Sequence, residues 1–463
     1  MTRAAAAAPA VAPQTAAGEL GALARVAGPL AVAYIAEMAI SFTDTIVVGR
    51  LGSVPLAAVG VTANLFFSLL LVCMAAVSAV SVLAAEALAK NDDAAAANAV
   101  RQGFWLSVAL ALPAFAMAWF MGPILSLLGQ DAAILPYAEA YVRAVVWGFL
   151  PYLWFTVLRS FATATGFTWP VLVVTVGSVP LNLAANYLLV FGHLGLPAMG
   201  VAGSGWASTI VCWCMLAALT IHALRSPSIR RFDLFRHLLR IDGRMLRRLL
   251  QLGLPAGGLT AAETGFFTAS ALLMGLFGAA VLAANQIAIM FLSIMFMVPA
   301  AISHAAAARV AYGLGLGDAH AARRAGLVAM GAGVVYMLLS AAVVLAMPAT
   351  IARLFLDSDM AGNAEVIALA VQLLFIAALY QVADGLQVVS AGSLRGLKDA
   401  TVPLLIGLGG YWAVGLGTGA LLAFTIGWGP TGIWWGMALG LSVTAALLSL
   451  RFHRVSRALA AVR

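Results

Sequence analysis

Residues 29–58 read PLAVAYIAEMAISFTDTIVVGRLGSVPLAA, and residues 255–284 read PAGGLTAAETGFFTASALLMGLFGAAVLAA. The two stretches align without a gap on a starting proline, a glutamate eight residues later, two glycines and a final Leu-Ala-Ala run. The same spacing carries Asp92 to Asp318, and we expect the loop acids Asp92, Asp93 and Asp318 to cap the helices that follow them. This repetition indicates that the chain consists of two related halves.

The composition is typical of a membrane protein. The chain has 463 residues, of which 63% are hydrophobic and 9% are charged, whereas soluble proteins average about 25% charged residues. The formal charge of +8 arises from basic loops, so we interpret it as a topology signal and expect no nucleic-acid partner. The three cysteines, Cys73, Cys212 and Cys214, lie in apolar stretches and lack the spacing of a zinc site.

Twelve segments are long enough to span a bilayer, which requires about 20 apolar residues. We predict spans at residues 24–48, 56–88, 98–124, 133–161, 168–190, 199–224, 249–276, 281–312, 321–347, 361–394, 401–425 and 431–452. The fold class is therefore an all-α membrane protein with six spans in each half. Because six is even, the two halves have the same orientation, and we expect two six-helix lobes related by a pseudo-twofold axis along the membrane normal.

The domain boundaries follow the basic loops. We predict a disordered tail at residues 1–20, an N-terminal lobe at 21–225, a basic linker at 226–248, a C-terminal lobe at 249–455 and a second tail at 456–463. The linker contains the largest arginine cluster of the chain, and the positive-inside rule places such a cluster in the cytoplasm. The parity of the spans then places both termini in the cytoplasm as well.

Four carboxylates lie deep inside apolar stretches, namely Glu37, Asp44, Glu263 and Asp384. A charged side chain at the bilayer centre costs about 2.5–3.5 kcal/mol on insertion scales, so such residues usually mark an ion, proton or substrate path. We find no lysine or arginine well inside a span to pair with them. We therefore expect these acids to bind a cation or a proton. For Glu37 the alternative is a position near the water-filled entrance of the transport path, where its carboxylate stays hydrated.

Polar side chains accompany these acids. Tyr380 lies one turn before Asp384 and is placed to hydrogen-bond the carboxyl group or to bind a cation beside it. Asn182 and Asn186 share one face of span five. Two amides on one face either line a polar cavity or join helices by hydrogen bonds.

Soft and aromatic side chains are candidates for a substrate cavity. Gln286 and Met290 lie in span eight, and Phe266 lies in span seven, three residues after Glu263. Methionine and aromatic surfaces accept flat organic cations. The alternative for these positions is ordinary helix packing or contact with lipid.

With these residues in view, the chain resembles the multidrug and toxic compound extrusion (MATE) family, of the bacterial NorM type, over nearly all of residues 20–455. Glu37 departs from the family pattern, in which a neutral glutamine is frequent, and Leu397 replaces a common aromatic residue. The motifs that carry the resemblance are Phe42-Thr43-Asp44-Thr45, Val100-Arg101-Gln102-Gly103-Phe104-Trp105, Asn186-Tyr187, Leu252-Gly253-Leu254-Pro255 with Glu263, Asn285-Gln286-Ile287-Ala288, Arg309-Val310, Tyr380-Gln381 with Asp384, and Leu394-Arg395-Gly396 followed by Lys398-Asp399.

The resemblance implies a transporter rather than an enzyme, which exports cationic and often aromatic drugs and dyes in exchange for Na⁺ or, in some members, H⁺. It implies that Glu263 and Asp384 are the cation-site acids of the second lobe and hold Na⁺ if that is the coupling ion. Asp44 matches a first-lobe acid implicated in proton or substrate coupling. We expect no cofactor besides the coupling ion, no partner beyond the drugs and the lipid bilayer, and a monomer in the bacterial inner membrane.

Three alternatives remain beside this interpretation. A lipid-linked precursor flippase of related fold would need a strongly cationic cavity for pyrophosphate, whereas the predicted intramembrane charges are acidic. A membrane-embedded enzyme would need a constellation of histidine, serine or metal ligands inside the spans, where His304 stands alone. The acids do not exclude a passive channel, but the two-lobe repeat favours a rocking transporter.

Overall fold

Twelve long helices organise the chain in a computed structural model that describes residues 15–127, 129–355 and 363–461. Their order along the chain is the order of the predicted spans. They are α1 Ala16–Gly49, α2 Ser53–Ala89, α3 Asp93–Trp119, α4 Leu135–Thr165, α5 Trp169–Phe191, α6 Val201–Arg225, α7 Gly243–Gly275, α8 Ala279–Gly315, α9 Ala319–Ala346, α10 Asn363–Gly396, α11 Thr401–Thr425 and α12 Pro430–Ala461.

Shorter elements interrupt or connect these helices. A turn at Ser78 divides α2, and a single 3-10 turn at Val146–Gly148 divides α4. Short helices at Met121–Leu127, Pro227–Arg230 and Pro348–Arg353 lie in the loops that follow α3, α6 and α9.

Eleven of the twelve long helices are long and apolar enough to cross a membrane. The exception among the described helices is α7, which has the length, with 33 residues, but is less apolar. Its sequence includes Glu263, flanking Thr260 and Thr264 and several glycines in place of aliphatic side chains. The prediction of an all-α membrane protein with twelve helices is confirmed, and the least apolar span is the one that contains Glu263.

The described residues form two compact units. Unit 1 consists of residues 32–257, and unit 2 consists of residues 15–31 and 258–461. Each division falls inside a helix, two residues after Pro29 in α1 and two residues after Pro255 in α7. The divisions are therefore related by the same spacing as the sequence repeat.

The N-terminal parts of α1 and α7, before their prolines, both pack on the second helix of a repeat. In unit 2, the start of α1 is held by Glu19, whose carboxylate accepts two hydrogen bonds from the Arg309 guanidinium of α8. In unit 1, the start of α7 packs closely on α2, where a Cβ atom on Gly253 would lie 2.4 Å from the Ala76 carbonyl oxygen. Because α8 is the repeat counterpart of α2, each unit holds the start of a repeated helix against its second helix.

The turns after α1 and α7 also repeat. The helices end at Gly49 and Gly275, and the next helices are preceded by Gly52 and Gly278 with φ angles of 119° and 106°. Residues other than glycine rarely adopt these backbone φ angles, which explains why both halves have glycine at this position.

The helix caps repeat in the same way. The Asp92 side chain accepts a hydrogen bond from the Ala95 N–H at the start of α3, and the Asp318 side chain accepts one from the Ala321 N–H at the start of α9, both at 2.8 Å. The predicted capping is confirmed for these two acids. Asp93 is instead the first residue of α3 and lies where the helix dipole favours a negative charge.

The helices extend into both predicted tails. α1 begins at Ala16, within the predicted tail 1–20, and the Thr15 hydroxyl accepts a hydrogen bond from the N–H of Gly18 in its first turn at 3.1 Å. α12 continues to Ala461. The predicted tail residues 1–14 and 462–463 lie outside the described residues.

The basic linker is shorter than predicted and is packed on unit 1. It ends at Asp242, whose side chain accepts a hydrogen bond from Asn98 of α3 at 2.7 Å. This hydrogen bond, together with main-chain N–H donors at the start of α7, holds the pKa of Asp242 below its usual value. Three side chains of α3 donate hydrogen bonds to carbonyl groups of the linker. Arg101 donates to Arg236 at 2.8 Å, Gln102 to Arg240 at 2.9 Å, and Trp105 to Leu238 at 2.8 Å.

Candidate functional site

In unit 2, Glu263 of α7 lies beside α10. The Gln387 Nε2 atom donates to Glu263 Oε1 at 2.7 Å, and the Tyr411 hydroxyl of α11 donates to Gln387 Oε1 at 2.6 Å. Gln387 and Tyr411 are 1% and 0% exposed. The amide of Gln387 is therefore fixed at both ends, and it offers Glu263 a hydrogen bond but no positive charge.

Asp384 lies one turn before Gln387 on α10 and is 8% exposed. Its carboxyl group interacts electrostatically with that of Glu263, and its Oδ1 atom has no hydrogen-bond partner among the described residues. In the described part of the chain, no lysine, arginine or histidine is an electrostatic partner of either acid. A buried and a half-buried carboxyl group that lie together without a basic partner require a proton or a bound cation to offset their charge.

Tyr380 belongs to the same buried cluster. It lies one turn before Asp384, with which it interacts electrostatically, and its ring centroid is 5.7 Å from that of Trp434. The Trp434 Nε1 atom donates to Asn285 Oδ1 at 3.0 Å. The structure thus brings Glu263, Asp384 and Tyr380 together, with the Tyr380 ring next to that of Trp434.

The three predicted cavity-lining residues have different surroundings. Gln286 is exposed, whereas its neighbour Asn285 points into unit 2. Met290 is half-buried. Phe266 is fully buried, and its ring stacks on Tyr411 with a centroid separation of 5.6 Å. Phe266 therefore supports the carboxyl cluster through Tyr411 and has no exposed face, because helical spacing places it on the inner side of α7.

In unit 1, Asp44 of α1 accepts hydrogen bonds from three neutral donors. The Nδ2 atoms of Asn182 and Asn186, both on α5, donate to Asp44 Oδ1 at 3.0 and 2.7 Å, and the Ser208 hydroxyl of α6 donates to Oδ2 at 2.8 Å. Both asparagines are 0% exposed, and their side-chain oxygens have no partner among the described residues. The face that they share therefore directs its amide N–H groups at Asp44.

The expectation that no basic residue lies inside a span is wrong for α4. Arg159 Nη1 lies 2.7 Å from Glu37 Oε1, and the side chains are 5% and 18% exposed. The Arg159 guanidinium also lies over the Tyr34 ring, 5.1 Å from its centroid. Arg159 is six residues from the end of α4 at Thr165, so a topology rule that counts basic residues near helix ends assigns it to the cytoplasmic surface.

Sequence reasoning missed three polar partners of the acids, namely Gln387, Ser208 and Arg159. Gln387 follows Asp384 at i+3, a spacing that places both on one helix face, so helical periodicity was a usable signal. Ser208 is 164 residues from Asp44 in the chain, and Arg159 is 122 residues from Glu37. No local pattern links such distant residues.

The donor set in unit 2 suits a hard monovalent cation or a proton. Carboxylate, hydroxyl and amide oxygens are the ligands that hard cations prefer. Among the described residues, no group of three or more histidine, cysteine, aspartate or glutamate side chains gathers at metal-binding distance. The pair Glu263 and Asp384 fits Na⁺ or H⁺ better than a transition metal.

Twelve long helices, a repeat of six and buried acids inside the helices define a membrane transport protein. The sequence model of the MatE family matches residues 29–188 and 255–421. The chain is 42% identical over 435 residues to the probable multidrug resistance protein NorM of Pseudomonas aeruginosa, covering 94% of this chain and 89% of that protein. It is 40% identical over 442 residues to the multidrug resistance protein NorM of Burkholderia vietnamiensis, covering 95% of each.

A solved structure agrees with these sequence matches. The Vibrio cholerae MATE transporter VcmN has a TM-score of 0.87 at 18% identity, over 96% of this chain and 98% of that chain. The chain belongs to the MatE family. This membership confirms the prediction of a transporter rather than an enzyme.

Proposed function

We propose that this protein is a multidrug efflux antiporter of the bacterial inner membrane. It exports cationic, amphipathic compounds in exchange for Na⁺ or H⁺ by alternating access, with both termini in the cytoplasm. Its membership of the MatE family and its identity of 40% or more to two proteins named for multidrug resistance support the export of drugs. The basic linker and the even number of spans in each half support the orientation.

The observation that carries the proposed coupling is the carboxyl pair of the half-buried Glu263 and the buried Asp384 with a neutral donor, Gln387. An acid pair with no basic partner among the described residues favours a state in which a cation or proton is bound. An arriving cation replaces the missing partner, and its departure leaves a buried charge uncompensated. The occupancy of the pair therefore changes the relative energies of the conformations that expose it to either side of the membrane.

Coupling requires that the cation and the drug favour different conformations. A ligand that binds two states equally shifts neither, so the cation must bind the outward-facing state more tightly and the drug the inward-facing state. A one-for-one exchange of Na⁺ or H⁺ for a monovalent cationic drug moves no net charge, so the concentration gradient of the coupling ion drives export. Each tenfold ratio of that ion supplies about 1.4 kcal/mol and supports about a tenfold drug gradient.

Asp44 is the candidate for the charge of the drug, or for a proton, in unit 1. Its three donors, Asn182, Asn186 and Ser208, stabilise the carboxylate form. A cationic drug that reaches this point is held by the charge of the Asp44 carboxylate, which these three neutral donors position but do not neutralise.

A lipid-linked precursor flippase is less well supported. It requires free positive charge for pyrophosphate, whereas the buried Arg159 of unit 1 is paired with Glu37. An arginine whose charge is matched by a glutamate attracts a polyanion only weakly.

The experiment is release of a fluorescent aromatic cation from proteoliposomes. An inward Na⁺ gradient at clamped pH and a pH gradient without Na⁺ are imposed separately, and ionophores then collapse each gradient. We expect one gradient to accelerate release and its collapse to stop the acceleration. Equal release with and without a gradient would refute coupling, and absence of counterflow with excess unlabelled dye would indicate a passive channel.

A further inference from the structure

We propose, on the basis of the function proposed above, that Arg159 is a built-in cation that occupies the unit 1 counterpart of the cation site in unit 2. The coupling cation of unit 2 arrives and leaves, whereas the positive charge of unit 1 is attached to the chain. The duplicated protein thereby keeps one exchangeable cation site and one that is permanently filled.

The two glutamates occupy the same position of the repeat. Glu37 follows Pro29 by eight residues in α1, and Glu263 follows Pro255 by eight residues in α7. Each accepts a hydrogen bond on its Oε1 atom, at 2.7 Å in both units. The donor comes from α4 in unit 1 and from α10 in unit 2, which are the fourth helices of the two repeats. The two contacts therefore join the same glutamate position to corresponding helices, although Arg159 and Gln387 stand two residues apart in the repeat.

The donors differ in charge. Arg159 offers Glu37 a guanidinium, and Gln387 offers Glu263 an amide. Unit 1 has this one glutamate with one arginine at the site, so the pair is neutral in itself. Unit 2 has a second acid, Asp384, near its glutamate and no basic electrostatic partner among the described residues. A cation that enters unit 2 finds uncompensated charge, whereas in unit 1 the charge is already compensated.

The arginine is fixed where a bound cation would lie. Its side chain is 5% exposed, and its guanidinium carbon lies 5.1 Å from the Tyr34 ring centroid and 5.7 Å from the Phe155 ring centroid. Its Nη2 atom also lies 3.5 Å from the Thr156 hydroxyl. Aromatic faces and a carboxylate together favour the charged guanidinium. A free cation would have to displace this group before it reached Glu37.

The first test removes the arginine that is paired with Glu37 in unit 1. Purified protein in nanodiscs is titrated with ²²Na⁺ as the probe, in weakly buffered solution so that protons taken up or released are recorded as well. Arg159→Gln is expected to raise the saturable binding of Na⁺ plus protons from about one per chain to about two, because the Glu37 charge loses its internal partner. The double variant Arg159→Gln with Glu37→Gln is expected to return to the wild-type value. Binding of Arg159→Gln that equals the wild type would overturn the proposal.

The second test places an arginine beside the glutamate of unit 2. It does not require that Arg159→Gln folds. Gln387→Arg places a guanidinium at the donor position beside Glu263, and Gln387→Met is the uncharged control of similar length. We expect Gln387→Arg to bind Na⁺ far more weakly than Gln387→Met, because the guanidinium offsets one of the two carboxylate charges and occupies the place of the cation. If Gln387→Arg binds Na⁺ as well as Gln387→Met does, a tethered cation does not fill the site, and the proposal fails.

Different results would refute the proposed coupling and the proposed role of Arg159. If wild-type protein shows no saturable cation or proton binding that depends on Glu263 and Asp384, the proposed coupling is wrong. If the wild type binds one cation at these acids and neither Arg159→Gln nor Gln387→Arg changes that number, the coupling stands. In that second case Glu37 and Arg159 form an ordinary structural ion pair.

Discussion

The two units present the same repeated glutamate to different partners. In unit 1, Glu37 faces the charged Arg159, and in unit 2, Glu263 faces the neutral Gln387 at the same distance of 2.7 Å. Asp384 adds a second buried acid to unit 2 only, and Asp44 of unit 1 is surrounded by neutral donors on another part of α1. The contrast shows that the chemistry beside the repeated glutamate differs between the two halves.

The scaffold around these positions has changed far less. Gly52 and Gly278 keep their positive φ angles, and Asp92 and Asp318 keep their capping hydrogen bonds. These positions fix where helices begin and turn, so a change there would displace a whole helix, whereas a changed donor alters only local charge. The duplication thus preserves the helix geometry and varies the electrostatics inside it.

The largest effect should follow from breaking the charged pair of unit 1. Glu37→Gln leaves Arg159 buried without its partner, which typically costs about 3–5 kcal/mol. The free energy of unfolding in mixed detergent micelles should fall by about this amount. The matched change in unit 2, Glu263→Gln, removes charge beside a neutral donor and should cost much less or stabilise the protein.

The control for this comparison removes both charges of unit 1. Glu37→Gln combined with Arg159→Met should recover most of the stability, because replacing a buried ion pair by uncharged groups is often neutral. Equal losses for Glu37→Gln and Glu263→Gln would show that the two donors are energetically equivalent, contrary to the comparison.

Loss of the acids of unit 2 should abolish coupling without unfolding the protein. Glu263→Gln and Asp384→Asn each remove a charge that the coupling cation requires, so with a tenfold imposed ion gradient the drug gradient should fall by about tenfold, to the level of uncoupled vesicles. Dye accumulation against its gradient in vesicles measures this. Glu365→Gln, at an exposed acid in the first turn of the same helix α10, is the control and should transport normally. Coupled export by either site variant would refute the assignment.

Much of the fold was predictable because it rests on local and periodic signals. The spacing of Pro29 and Pro255 revealed the duplication, apolar runs marked the helices, and the acids Asp92 and Asp318 marked two helix starts. The apolar runs and the capping acids act within a few residues or along one helix, and the duplication shows as a repeated sequence pattern that needs no knowledge of packing.

The partners of the acids were not predictable from the same signals. Arg159 resembles a surface arginine near a helix end, and only the packing of α1 on α4 shows that it is buried beside Glu37. Ser208 reaches Asp44 across the fold of unit 1. The packing of the basic linker on α3, where Gln102 donates to one of its carbonyls, was also not predicted. Such contacts depend on tertiary packing, which a single sequence does not encode in any short pattern.

A smaller effect should follow from removing one neutral donor to Asp44. Ser208→Ala deletes the hydrogen bond to Oδ2 and leaves the donors from Asn182 and Asn186 in place. We expect a loss of about 1.5 kcal/mol in the free energy of unfolding, the low end for a hydrogen bond to a charged group. Ser41→Ala, at an exposed position on α1 near Asp44, should change it by only a few tenths. A loss as large as that of Glu37→Gln would mean that neutral donors support a buried acid as strongly as an arginine does.

The smallest effect tests the part of the comparison in which the two units agree. Asp92→Ala and Asp318→Ala each remove a capping hydrogen bond of 2.8 Å at the start of the third helix of a repeat. Loss of an N-cap acid typically costs about 1 kcal/mol, and we expect equal values for the two variants because the geometry is the same. Hydrogen exchange at the first turns of α3 and α9 localises the loss to the mutated cap. Two clearly different values would show that the scaffold, and not only the charge at the buried glutamates, has diverged between the units.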